Sequence, residues 1–285
     1  MDLRFITSDR FRKLNIIFKM FGQGALPQVI KDFPTFFGKE IYISSKVFEE
    51  SISIPNHQSI WDACFENNPE AEIEEIGGSH IISMLDSLDI QIKDTDDSFF
   101  IELEAIITES FEKIKDKMEK RVQEIFRMQL PNKLVIILDE YGNKNNSFGQ
   151  KLAVNRNIGV ISYSMGRYVL KKDKNEPISV IIHELLHVLF SKYNVIKNTD
   201  RGFEEALLRY FAPYGLLSEV FGFQSHRMAG NYLEQITSVC SMETAQKLNN
   251  LMMEYTKVVG QEDIWSFLLK TDFKSYINTD FLNAQ

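Results

Sequence analysis

Large apolar residues recur three or four positions apart at Phe100, Leu103, Ile106, Ile107, Phe111, Ile114, Met118, Val122 and Phe126. Charges fill the positions between them, so the spacing predicts one long amphipathic helix over residues 99–128. Pro131 and Asn132 end it. The pattern then changes period. Residues 134–138 form a short unbroken apolar run that reads as a buried strand, and after a polar loop, 140–150, residues 157–164 read as another. A third, short strand is expected around 168–170. Pro177 follows, at a place where its missing N–H costs nothing in the first turn of a helix. That helix is apolar on almost every side, from Val180-Ile181-Ile182 to Val188-Leu189-Phe190, which marks it as buried. An amphipathic helix starts near Asp200, with Phe203, Ala206, Leu207, Tyr210, Phe211 and Tyr214 on one stripe. Two long helical segments, 227–259 and 263–278, follow, with Gly260 as the stop between them.

The first ninety or so residues alternate short apolar pieces with turn signals such as Phe21-Gly22-Gln23-Gly24 and Ile76-Gly77-Gly78. A strand at 42–44 and a helix at 79–88 are expected there, and no chemistry is assigned to them. Asp94, Asp96 and Asp97 lack the glycine and final glutamate of an EF-hand, and read as the capped start of the long helix. The expected organisation is an N-terminal region of unassigned role, 1–98, and a second domain, 99–285. The expected fold class is α+β, a small mixed sheet followed by helices.

Three polar side chains interrupt the apolar helix: His183, Glu184 and His187. Left unpaired in a core, each would cost about 2–7 kcal/mol. Residues four apart share a helix face, so the two imidazoles can converge on one ion, with Glu184 within reach of a water held there. The pentad His183-Glu184-Leu185-Leu186-His187 is therefore a candidate metal site of the HExxH type. His57 and His80 are read as surface or packing residues. A catalytic zinc site needs a third protein ligand and an open fourth position.

The pentad and the helix after it together resemble the gluzincin metallopeptidases, in which a glutamate on a second helix completes the zinc site. Glu205 matches that glutamate: Ala206 follows it, and Phe203, Leu207 and Tyr210 stand two before, two after and five after. The resemblance covers two short helices, about a tenth of the chain. It implies a zincin-like fold, Zn²⁺ held by His183, His187 and Glu205, Glu184 as general base, and a peptide or protein substrate. It also implies a Tyr or His that stabilises the oxyanion, with His226 ahead of Tyr210, Tyr214 and Tyr232. In such folds an edge strand beside the zinc helix pairs with the substrate backbone; residues 158–164 are the candidate for that edge, and an interior strand is the equal alternative.

Helical periodicity leaves the third ligand open. Glu204 lies at the edge of the apolar stripe, whereas Glu205 points nearly opposite it, four residues before Arg209. The family pattern has an aspartate where Arg209 stands, supporting a ligand histidine, so here that support must come from elsewhere. Other zinc layouts fit worse. Phe190 and Tyr193 occupy the positions where the metzincin extension needs a glycine and a further ligand, and no second Glu-x-x-His exists for a di-iron site.

Composition narrows the partners. A formal net charge of −8 and the lack of a basic stripe argue against nucleic acid. Cys64 and Cys240 are the only cysteines, which excludes a disulfide framework and a cysteine zinc site. Charges between Arg4 and Lys19 interrupt any signal-like apolar segment, and no apolar run is long enough to insert into a membrane. A cytoplasmic protein is the expectation. The reading is a zinc-dependent peptidase; the alternative is a catalytically inactive zincin-like interaction module with a structural zinc site.

Overall fold

The computed structural model describes residues 1–22, 61–69, 71–72, 97–140, 147–155, 157–192, 201–213, 215–224 and 231–271. Its sheet has four strands: β1 (Asp2–Ile6), β2 (Lys133–Glu140), β3 (Ser147–Asn155) and β4 (Ile158–Met165), in the order β1-β2-β4-β3. β1, β2 and β4 are parallel, with Ile6 beside Ile137 and Ile137 beside Ser162. β3 runs antiparallel to β4. The two central strands carry the continuous apolar runs because both of their faces are covered, as parallel strands require.

The helices are α1 (Asp9–Gly22), α2 (Asp97–Phe126), α3 (Arg167–Lys172), α4 (Glu176–Lys192), α5 (Arg201–Phe211), α6 (Ser218–Phe221), α7 (Tyr232–Ile236), α8 (Met242–Thr256) and α9 (Ile264–Lys270), with a 3₁₀ turn at Ala63–Phe65. The fold is mixed α+β, a small sheet followed mainly by helices, consistent with a zincin-like topology. The long helix forms as its periodicity predicts, with Leu103, Ile107, Phe111, Met118 and Val122 fully buried. Gly260 adopts φ +86° between α8 and α9, a conformation that favours glycine.

Three expectations are corrected. Residues 158–165 form an interior strand, and the sheet edge beside α4 is β3, which begins inside the segment expected to be loop. Residues 168–170 lie in helix α3: Leu170 N–H bonds back to Gly166 O, and Lys171 and Lys172 complement the helix C-terminus. The segment 227–259 is broken, because Ser241 caps a new helix by accepting from Thr244 N–H. One strand was not anticipated: β1 brings residues 2–6 into one sheet with residues 133–165. The strand expected at 42–44 and the helix expected at 79–88 lie outside the described residues.

Helix α4 lies flat on β3 and β4 because two glycines clear its path. A Cβ at Gly149 would come within 2.5 Å of Glu184 Cγ, and one at Gly159 within 2.7 Å of Val188 Cγ1. At its far end an aromatic cluster joins four helices. Phe126 packs edge-on to Phe190 and Phe211 at 5.7 and 4.8 Å, and Phe190 packs on Trp265 at 4.7 Å. α4 and α5 are thereby fixed against one another, which sets the distance between the histidine pair and the glutamates.

Candidate metal centre

His183 and His187 stand one turn apart on α4, the first buried and the second nearly so, with ring centroids 5.1 Å apart. α5 crosses them and places one oxygen between the two rings. Glu205 Oε2 lies 3.3 Å from His183 Nε2 and 3.2 Å from His187 Nε2. The three residues offer ligand atoms that all lie within 4.8 Å of one another. Ligands about 2.0–2.1 Å from a tetrahedral zinc ion are about 3.4 Å apart, so these spacings fit a zinc ion with little rearrangement. This cluster of His183-Glu184-x-x-His187 with distal Glu205 matches the gluzincin type of HExxH-plus-glutamate arrangement.

The outward nitrogens are committed elsewhere, which fixes the ring orientations. His183 Nδ1–H donates to the Ala212 carbonyl at 3.1 Å, and His187 Nδ1–H donates to Glu204 Oε1 at 2.7 Å. Both Nε2 atoms are left facing Glu205. The two glutamates that compete on a helical wheel thus have different places. Glu205 faces both inner nitrogens, whereas Glu204 holds His187 from behind and supplies the support that Arg209 cannot give. Arg209 acts on Glu205 instead. Its Nε donates to Glu205 Oε1 at 2.7 Å, while its Nη1 donates to Gln235 O at 2.6 Å and Ser238 Oγ at 2.9 Å. The pair that looked like a solvated i,i+4 ion pair therefore ties Glu205 to α7, with 18% of the Glu205 side chain exposed.

Glu184 points from α4 toward β3. It is 7% exposed, and its Oε1 would lie 2.8 Å from a Cβ at Gly149. No hydrogen bond or ion pair to its carboxylate is found among the described residues. Tyr210 and Tyr232 are otherwise engaged: their hydroxyls donate to Met252 O and Ala206 O, each at 2.9 Å. Tyr214 and His226 lie outside the described residues, as do His57 and His80.

Charge in the cluster favours a cation at its centre. For His187, burial disfavours the charged ring, but hydrogen bonds to Glu204 and Glu205 and the charge of Glu184 outweigh it, and the pKa rises to about 9. Burial also opposes ionisation of Glu205, yet the charges and hydrogen bonds of His183 and His187 hold it well below the usual carboxylate range. Glu204 shifts down against its own burial, through His187 and then Lys151.

A pH signature follows. The folded pKa of His187 lies above its ordinary value of 6.5, so in metal-free protein its contribution to stability is full below about 6.5 and is lost as pH rises through about 9. Metal binding needs deprotonated ligands and strengthens over the same interval. Melting temperatures measured with chelator are expected to fall over this range. Those measured with zinc are expected to fall less or to rise, and parallel curves would contradict the shared site.

Comparison of the chain with models of protein families, with curated proteins and with solved structures finds no match. The assignment to a type of metal site therefore rests on the residues themselves. No helix among the described residues is long and apolar enough to cross a membrane.

Proposed function

We propose that the chain is a zinc-dependent peptidase. The observation that carries this reading is the convergence of His183 Nε2, His187 Nε2 and Glu205 Oε2, with Glu184 against Gly149 of the edge strand and its charge acting on His187. A zinc ion held by these three residues would supply Lewis acidity to the scissile carbonyl and lower the pKa of a water to about 7.

The chain's own groups account for the rest. Glu184, tied to nothing else among the described residues, takes the proton of the attacking water and returns it to the leaving amine. Glu204 and the Ala212 carbonyl hold the two rings, and Arg209 holds the glutamate, so the side chains that would bind the ion are already oriented. β3 offers a strand edge beside Glu184, where main-chain hydrogen bonds would hold an extended substrate. A side chain that stabilises the oxyanion is sought in the helical C-terminal part, with His226 as the proposed residue. An untied base is what distinguishes this reading from a structural zinc module, in which a buried carboxylate has reason to be bonded.

The test is digestion of a mixed peptide library by zinc-loaded protein. Cleavage is expected, abolished by a chelator and restored by adding zinc back. Cleavage that survives complete removal of metal, or a library left intact by loaded protein, would overturn the reading.

A further inference from the structure

Strand β3 leaves the metal centre and borders a groove. Gly149 lies against Glu184, and two residues later Lys151 Nζ donates to Ser191 Oγ, one helical turn beyond His187. From there the consecutive residues Lys151–Asn155 form one wall of a cavity of about 600 Å³. Among the described residues, no strand lies beyond Lys151–Asn155 on the side away from β4. Leu152 falls at a bulge between Lys151 and Ala153, which raises the local twist of the edge. Asp62, Phe65, Glu66 and Glu72 also line it, so the cavity carries three acids and one lysine.

We propose that this groove binds an extended segment of the substrate carrying a lysine or arginine, on the amino-terminal side of the scissile bond. The proposal rests on the peptidase reading and adds the substrate class to it. Three features lead to one occupant. At Lys151–Asn155 the edge has no neighbouring strand among the described residues, and such an edge takes another extended chain through its outward N–H and C=O groups. The groove is continuous with the site, since α4 and β3 each contribute residues to both. The acidic lining complements a basic side chain and repels an acidic one, and Phe65 offers apolar surface for its methylene stem.

Direction follows from strand pairing. Antiparallel pairing is the more stable arrangement. With the scissile bond opposite Gly149, it places the residues before that bond against Lys151–Asn155. At about 3.3 Å per residue, the basic side chain falls roughly two to six positions before the cut.

The experiment profiles cleavage of defined peptides by the zinc-loaded full chain, with lysine, alanine or glutamate at those positions. Lysine is expected to be favoured over glutamate by about tenfold in kcat/KM, the size of two or three exposed ion pairs, and less at high salt. In the doubly substituted variant Glu66→Lys/Glu72→Lys the lysine-to-glutamate ratio is expected to fall to one or invert. The neutral pair Glu66→Gln/Glu72→Gln, which adds no like charges, is expected to lower the ratio by less. A ratio unchanged in both variants, or cleavage with no charge preference in the wild type, overturns the proposal while leaving the peptidase reading intact. A parallel arm measures binding of fluorescent lysine-bearing and glutamate-bearing peptides to zinc-loaded Glu184→Gln. Tighter binding of the lysine peptide, lost in Glu66→Lys/Glu72→Lys, with no peptide cleaved by wild type, would instead retain the groove and reject the peptidase.

Discussion

Glu184→Gln is expected to keep its metal and its fold while losing peptide hydrolysis by about 10²–10⁴-fold, the contribution typical of a positioned general base. The geometry gives this variant its clarity. Glu184 is not one of the three converging ligands, and no described residue depends on its carboxylate for a hydrogen bond. Glutamine has the same shape, so the close approach of α4 to Gly149 is preserved. Removing one of three carboxylates around His187 also relieves some of the pull on its proton, since the charge of Glu184 helps raise that pKa. Metal should then compete with the proton slightly better, against a weaker attraction for the ion itself. A variant that lost zinc along with activity would place Glu184 among the ligands and require another base. One that kept full activity would remove it from the chemistry.

The second large effect separates the neighbouring glutamates. Glu205→Gln replaces an anionic oxygen that faces both inner imidazole nitrogens, and is expected to weaken zinc binding by more than about 100-fold. Glu204→Gln leaves an amide oxygen able to accept from His187 Nδ1–H, and is expected to weaken it about tenfold, within the range found for groups that orient a ligand. Competition with a chromophoric chelator measures both. The reverse order would mean that α5 is rotated in solution so that Glu204 faces the metal.

The histidine pair was legible because helical geometry alone sets the spacing of residues 183 and 187, and because a buried helix exposes any polar intruder. The long helix α2 was legible for the same reason, its thirty residues carrying one period throughout. Glu205 was reached by resemblance and not by periodicity. Its polar position on the wheel faces the histidine pair, and local pattern does not tell such a partner from water. The support from Glu204 had a signal in retrospect: a ligand histidine needs an acceptor at its outer nitrogen, and Glu204 was the acid nearest the core stripe. The sheet was harder. β1 is a half-exposed five-residue strand with Asp2 and Arg4 in it, and β3 is a half-exposed edge broken by a bulge, so neither shows an apolar run. Which strand forms the edge depends on pairings between residues as far apart as Phe5 and Ile136, which no local pattern encodes.

The central claim is that His183 and His187 hold a metal ion with Glu205. Its most direct test is elemental analysis of purified protein after loading with zinc and exhaustive dialysis. About one zinc per chain is expected in the wild type, and less than about a tenth of that in the double variant His183→Ala/His187→Ala, because two of three protein ligands are gone. Stoichiometric zinc in the double variant, or none in the wild type, would contradict it.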